Sequence, residues 1–176
     1  IKIAQCIDGG KRIPTPIIFA LWMEKMEEFK RTDSTLNGFI LDGSPRTIFE
    51  AEMLEWTFDW FEWNKNKKIF FIKLSPAEIV KRLSKRRMCK KCGQLIPCIG
   101  DLEFIKVCNK CEGELIVRPD DTVQGVKERL AWFKTDVMPA IRYYKKQGLL
   151  IEINGGQSIE DVFQDILKEI GQDDHN

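Results

Sequence analysis

The stretch GFILDGSPRT, residues 38–47, is a short apolar run that ends in Asp42-Gly43 and continues into Ser44-Pro45-Arg46. An apolar run of this length closed by turn residues predicts a buried strand delivering an acid, a glycine turn and an arginine to a sheet edge. Outward from it, elements alternate. Upstream, Thr15-Pro16 predicts an N-cap with proline at the first helical position. Ile18, Trp22, Met26 and Phe29 then follow at the spacing of a helix of about 14 residues. Downstream, Phe49, Met53, Trp56, Trp60 and Trp63 recur by fours and threes, which predicts a helix packing an aromatic stripe into the core. Residues 69–74 (IFFIKL) predict a strand, and Ser75-Pro76-Ala77-Glu78 a capping box that opens a helix carrying Ile79, Val80 and Leu83.

Further on, Thr122 starts a long helix with Val126, Leu130, Phe133 and Val137 on one face. Pro139 is expected to kink or split it, and Gly148 to end it. Residues 149–153 predict a third strand, and Ser158 caps a last helix with Val162, Ile166 and Ile170 inward and Gly171 as its stop. Strands alternating with helices predict an α/β fold, a parallel sheet covered by helices.

Composition narrows the class. The chain has 176 residues, 31% charged and 43% hydrophobic, which is ordinary globular composition and argues against disorder. Its formal net charge of +1 advertises neither nucleic acid nor an acidic membrane as partner. No apolar run approaches the roughly 20 residues of a membrane helix. The start, Ile1 to Cys6, has neither an initiator Met nor the basic head and apolar core of a secretory signal. A cytoplasmic location is expected.

Four of the six cysteines form two pairs, Cys89-Lys90-Lys91-Cys92 and Cys108-Asn109-Lys110-Cys111, with 15 residues between them. That spacing predicts a two-knuckle zinc ribbon, since thiolates satisfy tetrahedral zinc and each CxxC turn offers two sulfurs to one ion. A complete set of four leaves no open coordination position, so the metal is structural. The intervening segment holds too few large apolar side chains for a core. Zinc binding of roughly 10–16 kcal/mol, typical of small zinc peptides, can fold it instead. Gly93 and Gly113 suit the tight turns beyond each pair. Cys98 fits neither pair and is read as a bystander, and Cys6 as a small packing residue. Before the lobe, Lys81, Arg82, Lys85, Arg86, Arg87, Lys90 and Lys91 cluster. They are consistent with a nucleic-acid edge, a solvated charged face or a phosphate clamp, and charge alone does not separate the three.

Residues 38–47 closely resemble the DGFPRT segment of adenylate kinases. Arg82-Leu83-Ser84-Lys85-Arg86-Arg87 leading into the cysteines is a second match, Arg118-Pro119-Asp120-Asp121 followed by Arg129 a third, and Asn154-Gly155-Gly156-Gln157 a fourth. Together they span nearly the whole chain in family order and resemble the zinc-lid form. The resemblance implies a P-loop-kinase-like α/β fold: a partial monophosphate-binding region over 1–32, core over 33–84 and 122–171, a zinc lid over 85–121 and a tail over 172–176. It also implies reversible phosphoryl transfer from MgATP to AMP, giving two ADP, by a monomer with structural Zn²⁺ and with Mg²⁺ carried by ATP.

By that resemblance Arg46 grips the AMP phosphate, and Arg86, Arg118 and Arg129 converge on the transferring phosphates. Asp42 orients Mg²⁺ through water, and Asp120 and Asp121 orient the lid arginines. The AMP site takes in Lys11, Arg12, Ile13, Gly43, Ser44 and Glu50 as well as Arg46, Arg118 and Arg129. The ATP site takes in Arg82, Arg86, Leu95, Ile96 and the Gln157 backbone. A loose transition state that spreads charge over the transferred group is served by positioning and cations, with no need for a histidine base.

Two departures carry expectations. Glu50 stands where the family usually has a Gln that pairs with adenine. A carboxylate can only accept, so it suits the two adjacent donors of guanine better, and Glu50→Gln is expected to favour AMP. A GMP or pyrimidine-monophosphate kinase is therefore the alternative enzyme, and a catalytically dead nucleotide-binding or zinc-ribbon module the alternative class. The loop GxxxxGK[ST], which cradles ATP phosphates, does not occur in the 176 residues, and Gly9-Gly10-Lys11-Arg12 only echoes it. The chain is accordingly expected to be an N-terminally incomplete piece, nearly inactive alone. With a central strand missing, its three remaining strands are expected not to form one continuous ladder.

Overall fold

The computed structural model describes residues 2–8, 13–32, 38–118 and 121–171. Two compact units result, one from Ile1–Lys67 with Thr135–Tyr143 and the other from Lys68–Lys134 with Tyr144–Asn176.

The first unit is helical. Besides the helical segment Thr135–Tyr143, its elements are α1 (Lys2–Asp8), α2 (Thr15–Thr32), α3 (Ile48–Trp60) and a single 3₁₀ turn at Asn64–Asn66. Met26 of α2, Leu54 of α3 and Phe61 form the buried centre, and Trp22, Met23, Phe39, Leu41, Phe58 and Trp63 pack around it. Phe61 stacks on Trp63 with ring centroids 4.7 Å apart, and Phe39 meets Trp63 edge-on at 5.4 Å. Such pairs add roughly 0.5–1.5 kcal/mol each beyond the area they bury.

Three expectations are corrected here. Residues 38–41 form no strand. Phe39 and Leu41 pack on the core, while Ile40 is 91% exposed and no ladder pairs the segment. Alternating burial makes an extended chain, but a strand also needs a neighbour for its N–H and C=O groups. The aromatic stripe of α3 also faces the other way: Trp56, Trp60 and Phe49 are exposed, and Ala51, Leu54 and Thr57 point inward. With large apolar residues on two faces, periodicity announces the helix but not which face is buried. Finally, α2 begins at Thr15, and the Pro14 carbonyl accepts from the Ile17 and Ile18 amides. Thr15 is therefore the first helical residue rather than the cap, and its hydroxyl bonds elsewhere.

The second unit holds the sheets. Strands β1 (Ile69–Lys73) and β5 (Leu150–Asn154) pair in parallel with Ile69 opposite Leu150 and Lys73 opposite Asn154. Among the described residues this parallel sheet has two strands, and 38–41 does not join it. The crossover runs through α4 (Pro76–Lys85), the lid, α5 (Val123–Trp132) and α6 (Met138–Lys146). After β5 comes α7 (Ile159–Gly171).

Three other caps fall where the sequence places them. Ser75 Oγ accepts from the Glu78 amide at 3.2 Å, Thr122 Oγ1 from Gly125 at 3.1 Å and Ser158 Oγ from Asp161 at 3.0 Å. Pro139 acts as expected: a π turn at Phe133–Val137 precedes it, where the missing proline N–H breaks the regular ladder. Gly148, at φ +72°, ends α6 by donating to the Lys145 carbonyl.

Gly155 follows β5 where a side chain does not fit. A Cβ there would lie 2.8 Å from Ile72 Cγ2 and 3.0 Å from Leu74 Cγ. The Gly155 amide instead donates to the Lys73 carbonyl across the strand ends.

Candidate phosphate-clamp and zinc-lid site

The lid is built on an antiparallel sheet of β3 (Leu95–Ile96), β2 (Arg87–Cys89) and β4 (Leu115–Val117), with β2 in the centre. Its two CxxC turns share one hydrogen-bond frame. The Cys89 amide donates to the Gln94 carbonyl and the Gly93 amide to the Cys89 carbonyl. The Cys108 amide donates likewise to the Gly113 carbonyl, and Glu112 to the Cys108 carbonyl. Both knuckles use a left-handed residue just past the second cysteine, Gly93 at φ +72° and Glu112 at φ +56°.

These knuckles bring the sulfurs of Cys89, Cys92, Cys108 and Cys111 within 4.8 Å of one another. Cys89 and Cys111 are 3.5 Å apart and Cys92 and Cys108 3.7 Å. A tetrahedral zinc with bonds of about 2.3 Å requires sulfur–sulfur edges of about 3.8 Å, so the donor set and its size fit one zinc ion. Gly113 lets the knuckles close this far, since a Cβ there would stand 2.8 Å from Cys89 Sγ and 2.9 Å from Lys91 Cβ.

The protons point the same way. The Cys92 backbone amide leads in holding Cys89 down at about 6, helped by Lys91 and the neighbouring thiols. The Gly113 amide favours the Cys111 thiolate, but the Cys92 and Cys89 sulfurs and burial outweigh it and push Cys111 up to about 12. Four sulfurs this close make the first thiolate easy to form and later ones hard, a conflict a bound dication removes. Cys98 is different. Burial pushes its thiol up, it bonds to Glu103 rather than the sulfur cluster, and it behaves as the bystander expected.

The basic cluster before the lobe is largely consumed inside the protein. Arg82 pairs with Glu78 at 2.7 Å, Lys85 with Glu103 at 3.1 Å and Lys90 with Glu114 at 3.4 Å. Arg87 works as a staple that sequence reasoning missed. Its guanidinium donates to the Leu102, Glu103 and Ile105 carbonyls and so fixes the 3₁₀ loop Gly100–Glu103 against β2.

Arg86 and Arg129 meet on Asp121. Arg86 donates from Nε to Asp121 Oδ2 at 2.7 Å and from Nη2 to Oδ1 at 2.8 Å, while Arg129 Nη1 donates to Oδ1 at 3.0 Å. The Asp121 side chain is 0% exposed. One buried carboxylate thus holds two guanidiniums, a locally cationic cluster with the Nη1 end of Arg86 outside the pair. α4 ends just before Arg86, α5 carries Arg129, and the Asp121 amide donates to the Arg118 carbonyl. Arg118 is half-buried beyond β4.

Of the other residues singled out in this unit, Leu95 is exposed on β3, whereas Ile96 is 2% exposed inside the lid. Gln157 lies after β5 and donates to Asp165 at 2.6 Å. Beyond the carboxyl ends of β1 and β5 lies a cleft of about 580 Å³ lined by Lys73, Ser75, Glu152 and Asn154. Lys145 first, then Lys73, holds the Glu152 carboxyl below the usual range.

A second group lies in the helical unit. Asp42 is exposed at the turn, and Gly43 adopts φ +68° with the Arg46 guanidinium folded over it, Nε donating to the Gly43 carbonyl at 2.7 Å. The Ser44-Pro45 peptide bond is cis. Glu50 is buried on the first turn of α3, and Ile13 is half-buried before α2. Lys11, Arg12, Pro119 and Asp120 lie outside the described residues. Thr15, which bonds Glu50, was invisible to sequence reasoning because the two stand 35 residues apart.

The pattern of the family described as adenylate kinase matches residues 1–149. An adenylate kinase of Treponema denticola is 35% identical over 166 residues, covering 92% of this chain and 73% of its own. One from Desulfitobacterium hafniense is 34% identical over 168 residues, covering 95% and 75%, and one from Clostridium botulinum 35% identical over 177 aligned positions, covering 98% and 78%. With a family pattern over most of the chain and relatives at this identity, the chain belongs to the adenylate kinase family.

Proposed function

We propose that the protein catalyses reversible transfer of the γ-phosphoryl group of MgATP to AMP, giving two ADP. The observation that carries this reading is the buried Asp121 carboxylate holding Arg86 and Arg129 side by side. Transfer through a loose transition state needs ordered cations more than a base. A bidentate carboxylate fixes the plane of Arg86, so its free donors meet the phosphates without first losing side-chain freedom. Arg118 and Arg129 complete the cationic wall, and Arg46 takes the acceptor phosphate.

Asp42 is assigned to the water shell of the Mg²⁺ that ATP carries. Lys11, Arg12, Ile13, Gly43 and Ser44 are assigned to the AMP site. Arg82, Leu95, Ile96 and the Gln157 backbone are assigned to ATP. Bound by four thiolates, zinc supplies a cross-link and no open position for chemistry. Cys89, Cys92, Cys108 and Cys111 would hold it, keeping β2 and β4 in the register that presents Arg86 and Arg118.

The test is ADP formation from ATP and AMP by the whole gene product. Arg86→Ala is expected to lower kcat by about a hundredfold or more, because it removes charge stabilisation from the transferring group. Asp121→Asn is expected to lower kcat by about tenfold with little change in KM, since it loosens Arg86 without removing it. Full activity in both variants would overturn the assignment.

A further inference from the structure

The Glu50 carboxylate is engaged at both oxygens by the protein itself. Oε1 accepts from the Thr15 hydroxyl at 3.1 Å, and Oε2 accepts from the Arg46 backbone amide at 2.6 Å. Glu50 is also the third residue of α3, and its own amide donates to the cap Thr47 Oγ1 at 3.1 Å. In an ordinary capping box the acid at this position reaches back to the cap's amide. Here it reaches one residue further, to Arg46, and also bonds to the first residue of α2. The second bond lies beyond any helix cap, because it joins segments 35 residues apart.

The residue is 7% exposed. A group that reads a nucleobase has to offer it open donors or acceptors, whereas this residue is buried and each of its carboxylate oxygens already accepts a bond from the protein. What Glu50 does control is the backbone just ahead of α3, where Arg46 folds its guanidinium over Gly43 at 2.7 Å. We infer that Thr15 and Glu50 are positioning residues, a latch that fixes the Arg46 turn to the start of α2 and thereby aims Arg46 at the acceptor phosphate, and that Glu50 does not select the base. This rests on the acceptor-site reading proposed above. It departs from the expectation that a carboxylate at this position favours guanine.

Glutamine separates the two roles. In the Glu50→Gln variant the side-chain carbonyl can face the Arg46 amide and the NH₂ the Thr15 hydroxyl oxygen. Both bonds are then kept, so the latch survives while the donor–acceptor pattern offered to a base changes. The experiment uses the 176-residue chain as wild type, Glu50→Gln, Glu50→Ala and Thr15→Val. It reads hydrogen exchange at the Arg46 amide and the dissociation constants of AMP and GMP, followed by tryptophan fluorescence.

The latch predicts that Glu50→Ala exposes the Arg46 amide and weakens AMP and GMP alike, each by about tenfold, the worth of one lost charge-assisted bond. Thr15→Val weakens both nucleotides by a smaller common factor, and Glu50→Gln stays near wild type in exchange and in the AMP:GMP ratio. A Glu50→Gln variant that shifts the AMP:GMP ratio by about tenfold overturns the latch and restores base reading. So does a Glu50→Ala variant whose Arg46 amide stays protected. If the wild-type chain binds neither nucleotide while Arg46 protection still depends on Glu50, the acceptor-site reading fails and the latch geometry stands.

Discussion

The lid and the helical unit are held together by different forces, although each is built on short elements. Among the described residues of the lid the buried apolar side chains are Cys89, Ile96, Cys98 and Cys108, two of them sulfurs of the metal set. The helical unit buries Met26, Leu54 and Phe61 and surrounds them with four phenylalanine or tryptophan rings and further aliphatic side chains. Apolar burial at about 25 cal/mol per Å² can order the second but has little area to act on in the first. The lid must therefore draw its order from coordination, backed by the Arg87 staple and the paired backbone of its two knuckles. A segment stabilised by a few strong bonds of fixed length keeps its shape with little core.

Metal removal is the harshest way to break that comparison. Chelation is expected to unfold the lid, with a loss on the order of 10 kcal/mol of metal-linked folding energy, while the helical unit stays folded. Hydrogen exchange resolved by segment checks this: amides of β2, β3 and β4 should lose protection and those of α2 and α3 should not. Leu54→Ala attacks the other side. At 1% exposure it should cost about 3 kcal/mol through lost burial and the cavity left behind, with bound zinc unchanged. Denaturant unfolding with metal analysis reads both. Gly113→Ala gives the finest distinction. Its methyl group has to displace Cys89 Sγ or Lys91 Cβ, so it should cost about 2 kcal/mol and weaken zinc binding although no ligand is touched. A competitive zinc titration checks it, and unchanged affinity would mean the knuckle relaxes freely.

The two arginines on Asp121 belong to the same contrast. Asp121 does at the base of the lid what a zinc ion held by the four cysteines would do at its tip: it gathers like-charged or mutually repelling groups around one countercharge. Burying that carboxylate is tolerable because two guanidiniums satisfy it, and removing either partner leaves an uncompensated charge behind. Glu50 gathers neutral donors instead, a hydroxyl and an amide, and so orders backbone rather than cations.

Local chemistry is what the sequence by itself determined. The two CxxC pairs specified the zinc knuckles, Ser75, Thr122 and Ser158 their caps, and Pro139 the break in the long helix, because each depends on residues within a few positions of one another. The motif order Asp42–Arg46, Arg82–Arg87, Arg118–Asp121 was equally legible, and it led to the family. Only the tertiary structure decided which face of α3 is buried, since Trp56 and Leu54 are both apolar and periodicity cannot choose between them. It also decided that residues 38–41 lie extended without a ladder, because strand formation depends on a partner elsewhere in the chain. The roles of Asp121, Arg87, Thr15 and Glu50 were decided the same way. Each depends on at least one bond spanning 8 to 35 residues, and no local pattern records which distant atom a carboxylate or guanidinium will meet.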